Sequence, residues 1–293
     1  MSRLNTLKVL ALSLSLILIG RADAASVNAE FVLNGQSLKP SQVAAFRIRD
    51  SFNPREQETY VMLTSEPVDA AAIVADLDPY ARAINDPAAN ADHLNFFVKS
   101  NGDVSMNAKV GGTQYLDSSG KIMGQQGGLI AECRQNTKTE VACTVKSAKP
   151  TKNDGDSWTV VAEFSAPVQS RPEGTPLAAD GGAAGKSFNA LAKAIQGDDL
   201  TAILALLTAT AGADFQRDYN TPEENLAWAK DLLGTRIPKK AKVTGGEQLA
   251  ADHVLLEVVG EPWEGSKMLY QVEYRHVDGK WLYETSSTVG MLR

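Results

Sequence analysis

Two periodicities divide the chain. Up to about residue 166 the apolar positions alternate or fall in short blocks, which is the pattern of strands; from Lys186 they first recur every three or four residues, which is the pattern of helices. In the first half VNAEFVL, VAAFRIR and ETYVMLT read as strands. A helical insert follows, in which Ile73, Leu77, Tyr80 and Ile84 recur on one face and Pro67 suits a first-turn position. Pro79 cannot continue a helix, so a break is expected at Asp78, which can cap a second short helix.

Strands resume at Leu94. Asn101-Gly102 suggests a two-residue turn, but that register would oppose Phe96 to Asn107. A three-residue loop through Asp103 instead pairs Leu94 with Val110, Phe96 with Ala108 and Val98 with Met106. It is preferred because it keeps the apolar face together. The outer face then carries Asn95, Phe97, Lys99, Ser105, Asn107 and Lys109. Asn95, Phe97 and Asn107 on that face are a candidate recognition surface, or Phe97 is covered by another element. A glycine- and amide-rich stretch around Asp117-Ser118-Ser119-Gly120 reads as turns, and WTVVAEF closes this half as a strand.

Pro167 to Gly185 carries three prolines and almost no large apolar side chain, so it is expected to be a flexible linker. Beyond it, Phe188, Leu191, Ala192 and Ile195 share a helix face that ends at Gly197. Leu200, Ile203, Leu204 and Leu207 form a second face starting at Asp198. Thr221-Pro222-Glu223-Glu224 has the residues of a capping box and opens a third helix. Four strands follow, KAKVTGG, HVLLEVVG, MLYQVEYRHV and KWLYETS, with Asp278-Gly279 turning the last two. The fold class expected is α+β. Residues 25–166 form a mostly antiparallel β domain with a short helical insert, 167–185 the linker, and 186–293 helices packed on an antiparallel sheet.

Composition changes this picture at the N-terminus. Arg3 and Lys8, the apolar run Val9 to Gly20, and Ala22-Asp23-Ala24 have the form of a signal peptide (residues 1–24) cleaved after Ala24. The run is too short to span a bilayer comfortably. The chain is therefore expected to be periplasmic or secreted, with no stable membrane anchor after cleavage. In that oxidising setting the only two cysteines, Cys133 and Cys143, are expected to pair. A loop of Thr137, Lys138 and Thr139 would set them opposite each other on neighbouring strands. Neither redox nor zinc spacing is present, so no metal and no cofactor are expected. Cleavage would remove Arg3, Lys8, Arg21 and Asp23, moving the formal net charge from −6 to −8. An acidic chain without a basic stripe is a poor partner for nucleic acid.

The residues AIQGDDLTAILALL, DHVLLEVVG and YRHVDGKWLYE, in that order, resemble the nuclear transport factor 2-like superfamily over roughly Lys186 to Arg293. The resemblance implies a cone of three helices against a curved sheet. It leaves function open, since members include isomerase-like and dehydratase-like enzymes as well as binding modules. A two-residue turn at Asp278-Gly279 puts Val272, Tyr274 and His276 beside Trp281, Tyr283 and Thr285, the face expected to meet the helices. Tyr274, Trp281, Tyr283 and His276 are the candidate pocket residues, with core filling as the alternative. Glu273 and Glu284 would then lie directly opposite on the other face, near Arg275.

No complete catalytic set is legible: there is no Gly-x-Ser-x-Gly elbow, metal-binding histidine pair or cysteine–histidine arrangement. The function expected is therefore a non-enzymatic interaction protein that binds a protein of the cell envelope. It would act as an inhibitor or immunity protein against an envelope toxin or hydrolase, with the C-terminal sheet able to form a homodimer. A small-molecule binder using the cone, or an isomerase, lyase or hydrolase, is the alternative.

Overall fold

The computed structural model describes residues 25–292 apart from 51, 52, 123, 124, 154, 219 and 239. The expected signal peptide lies outside the described residues. The fold is mixed α+β, with a curled sheet in the first half and a separate antiparallel sheet in the second.

The first half opens with β1 (Ser26–Leu33), β2 (Gln36–Leu38), β3 (Gln42–Arg49) and β4 (Gln57–Thr64). The short helices α1 (Ala70–Ala75), α2 (Pro79–Ile84) and α3 (Pro87–Asn90) follow. Each is started by an aspartate, Asp69, Asp78 or Asp86, whose carboxylate accepts a backbone N–H of the first turn. The cap at Asp78 is the expected one. Pro67 lies before α1, outside any helix, and Ile84 is exposed rather than on a buried face.

Next come β5 (His93–Val98), β6 (Val104–Val110), β7 (Thr113–Ser118), β8 (Lys121–Ile122), β9 (Gln125–Gln126), β10 (Leu129–Asn136), β11 (Glu140–Ser147), β12 (Thr151–Asn153) and β13 (Asp156–Gln169). β13 is the hub. It pairs antiparallel with β1, β11 and β12, and its last residues run parallel to β3 through Val168↔Ala45 and Gln169↔Phe46. The sheet β3–β7 and the strands around β13 enclose a common core that includes Phe31, Val61, Phe96, Trp158 and Phe164. The opposite face of β3–β5 is covered by α1–α3, which bury Phe46, Ile48, Tyr60 and Met62 against Ile73, Val74 and Ala83. Double coverage explains why ETYVMLT is apolar without alternation: both faces of β4 are interior.

The second half contains β14 (Thr175–Pro176), α4 (Gly182–Ala194), α5 (Leu200–Leu204), α6 (Ala209–Ala213) and α7 (Pro222–Arg236). Then follow β15 (Lys242–Ala250), β16 (His253–Gly260), β17 (Lys267–Val277) and β18 (Lys280–Leu292). The sheet order is β14-β15-β16-β17-β18. Its inner face packs Val254, Leu256, Tyr270, Val272, Tyr274 and Tyr283 against Phe188, Leu191, Ile203, Phe215 and Leu233 from the helical side. The Thr221–Glu224 capping box starts α7 as expected, while α6 is a helix the periodicity did not announce.

The stretch expected as a flexible linker is structured. β13 extends through Gln169, β14 joins the second sheet, and α4 begins at Gly182 rather than near Lys186. Between them Gly174 N–H donates to Glu247 Oε2 at 2.7 Å and Leu177 N–H to the Gly246 carbonyl at 2.9 Å. The two halves also touch directly: Arg49 Nη2 meets Glu257 Oε1 at 2.6 Å, and Ser287 Oγ donates to Asp78 Oδ2 at 3.1 Å.

Candidate functional site

The candidate residues of the second half occupy three different settings. Tyr274 is 0% exposed and meets Tyr283 edge-on at 6.2 Å, with both rings inside the core between helices and sheet. Burial pushes both phenols up. Tyr283 Oη is 3.0 Å from Ser286 Oγ, whereas Tyr274 Oη is buried without a partner among the described residues. Trp281 is half-buried against the same core, and His276 is exposed beside it, with ring centroids 5.1 Å apart. The two tyrosines fill space rather than line it.

The opposite face of this sheet differs from expectation. Tyr274↔Tyr283 holds the predicted register, but a bulge next to it pairs Glu273 with Thr285 and leaves Glu284 out of the pairing. The expected Glu273–Glu284 opposition does not form, and Thr285 is on the Glu273 face. Glu273 Oε1 instead accepts from Arg275 Nη2 at 2.6 Å and lies 2.7 Å from His253 Nε2, off the line of an aligned ring N–H bond. Burial lowers the pKa of His253, with Arg275 and Arg171 acting the same way and Glu273 opposing them. The cluster is an arginine-paired carboxylate beside a partly desolvated imidazole.

In the first half the β5–β6 register is Leu94↔Ala108, Phe96↔Met106 and Val98↔Val104, two residues from the expected one. Lys99 N–H donates to the Asp103 carbonyl at 2.9 Å, so the loop is residues 100–102, with Gly102 at φ 88°. The apolar face is the same in both registers, because a shift of two preserves alternation. The face read as outward is roofed by the helical insert. Asn95 is 2% exposed and donates Nδ2–H to Tyr60 Oη at 2.7 Å. Phe97 packs 4.7 Å from the Tyr60 ring and 5.8 Å from Tyr80. Asn107 lies opposite Asn95, and the Oδ1 atoms of both are buried without a donor among the described residues.

At the edge of that roofed face lies a group the sequence reading missed. Glu58, 4% exposed, shares its face with Tyr60 and Met62; Asp50 shares one with Phe46 and Ile48. Lys99 Nζ meets Asp50 Oδ2 at 3.0 Å. Burial, reinforced by Asp50 and only partly offset by Lys99, pushes the Glu58 carboxyl up to about 7. The available signal was phase: a charged residue at an interior-phase position of each strand. Such a carboxyl can hold or release a proton near neutrality.

Among the described residues no group of histidine, cysteine, aspartate and glutamate is arranged to hold a metal ion, and no helix is long and apolar enough to cross a membrane. Cys133 and Cys143 form a disulfide. They pair directly across β10 and β11, with a bulge at Arg134 and a turn at Lys138-Thr139 rather than a three-residue loop. Against known proteins, no family model, curated sequence or solved structure matches this chain.

Proposed function

We propose that this chain is an exported, non-enzymatic protein that binds a protein partner in the cell envelope, in the manner of an inhibitor or immunity protein. The observation that carries the reading is an exposed apolar end of the second sheet. Trp263, in the β16–β17 connection, is 57% exposed, and Met291 of β18 is 45% exposed. Register brings them to one end: Gly260 pairs with Met268, and Met268 with Met291. Tryptophan and methionine are enriched where proteins meet, and tryptophan is a frequent energetic anchor. The disulfide supports an oxidising compartment, and cleavage after Ala24 with periplasmic residence belongs to the same proposal. The kinship of residues 186–293 to the nuclear transport factor 2-like superfamily is also proposed, supported by helices that precede the four long strands β15–β18 of an antiparallel sheet.

The test uses the chain from Ala25 onward as bait in envelope extract, beside Trp263→Ala. One dominant protein should be retained by the parent and bound about 30-fold more weakly by the variant, as expected for an anchor contributing about 2 kcal/mol. Equal retention by both would remove this surface from the reading. A turnover abolished by Glu273→Gln or Glu58→Gln in a folded protein would overturn the non-enzymatic assignment.

A further inference from the structure

β13 pairs with β3 only at Ala45 and Phe46, then leaves at Gln169. Among the described residues, no strand takes its place along Arg47–Arg49, and a cavity of about 110 Å³ opens there. Its walls are Arg47, Ile48 and Arg49 of β3, Val74, Leu77 and Pro79 of the helical insert, the crossover Ser170–Glu173, and Glu247 and Gln271 of the second sheet. One water needs roughly 10–15 Å³ of such space, so there is room for a phosphate-sized group or a short organic acid.

We propose that this cavity binds a small oxyanion, a carboxylate or phosphate-type group, held by the guanidinium groups of Arg47, Arg49 and Arg171. In a chain of net charge −6, these arginines converge on one small space. Arg49 and Arg171 each already meet one carboxylate, and among the described residues Arg47 does not. Glu173 is engaged by Lys138 at 2.8 Å. Glu247 accepts from Gly174 N–H at 2.7 Å and meets Arg171 at 3.5 Å. Arg49 has Glu257 at 2.6 Å and the Pro54 carbonyl at 3.1 Å. Arg47 donates from Nη1 to Thr59 Oγ1 at 2.8 Å, and among the described residues no carboxylate lies within ion-pair range of it.

Burial lowers the pKa of both Arg47 and Arg171; on Arg171 the Glu247 carboxylate opposes the burial, and Arg49 reinforces it more weakly. A charge held partly away from water with no carboxylate beside it among the described residues, as on Arg47, is relieved by a bound anion. A guanidinium presents paired N–H donors in a plane that matches a carboxylate or phosphate face. Ile48, Val74, Leu77 and Pro79 add an apolar wall, which lowers the local dielectric and suits a short carbon body behind the anionic head. Neither Trp263 nor Met291 lines this cavity, so it can fail without affecting the partner-binding proposal.

The experiment titrates the mature chain, in low-salt chloride buffer, with inorganic phosphate, sulfate and succinate, reading thermal midpoint and calorimetric affinity. At least one anion should raise the midpoint along a saturating curve. Arg47→Gln should weaken that binding about tenfold or more, while Arg47→Lys, which keeps the charge but loses the planar fork, should be intermediate. Preference for phosphate and sulfate over succinate would assign an inorganic or phosphoryl ligand, and the reverse a carboxylic acid. A rise that never saturates and persists in Arg47→Gln is the general effect of excluded salts, and would overturn the site. Should Arg47→Gln not fold, unchanged affinity in Arg47→Lys would overturn it equally, and a clear weakening would support it.

Discussion

Glu58 is a carboxyl whose ionisation the fold opposes. It titrates near 7 in the folded chain against 4.5 for the free side chain, so between those values the folded state retains a proton the unfolded chain has released. Its contribution to stability is complete below about 4.5 and is lost as the pH rises toward 7. Glu58→Gln should match the parent near pH 4 and exceed it near pH 8 by on the order of 2–3 kcal/mol. Urea midpoints at the two pH values measure this; a constant difference would mean the carboxyl is not desolvated. At this scale the sequence was only partly legible. A strand pattern shows that Glu58 and Asp50 share a face with Tyr60 and Phe46, but not that α1–α3 close over that face and make it interior. For the same reason Asn95 and Phe97 read as surface and are covered.

Among the elements, the hairpins separate what local pattern decides from what it leaves open. Asp278-Gly279 forms the expected tight turn, with φ of 50° and 80°, because few other dipeptides accept two left-handed residues. The β5–β6 loop was ambiguous because two registers preserve the apolar face; closure at Lys99–Asp103, with glycine in the left-handed position, selects between them. Bulges at Arg134 and Glu284 left no mark in the hydrophobic pattern, yet the second removes a predicted carboxylate pair. The disulfide hairpin gives a direct measurement. Replacing both Cys133 and Cys143 by alanine should cost roughly 2–3 kcal/mol in urea denaturation, the value for so short a closed loop. A loss below about 0.5 kcal/mol would mean that the unfolded hairpin is already held closed without the bond.

For the whole molecule, the crossover between the halves is anchored by Glu247 and β14, and Arg49–Glu257 joins the halves beside it. Arg49→Gln removes one side of that joint and leaves Glu257 without its cation. A glutamate-specific protease should then cut after Glu173 about tenfold faster than in the parent, with intact mass identifying the fragments; an unchanged rate would mean that the backbone bonds alone hold the crossover. β13 sets a different constraint, one of timing. Ser26 of β1 pairs with Ser165, 139 residues further along the chain. During synthesis β1 therefore appears early and, apart from the short β2, waits for its neighbour until nearly the whole first half has been made. Closing so long a span before any contact rewards it makes folding slow. Only local hairpins can form before then, and the first sheet stays unclosed until its last strand arrives, a form in which a polypeptide can still be passed through a narrow channel.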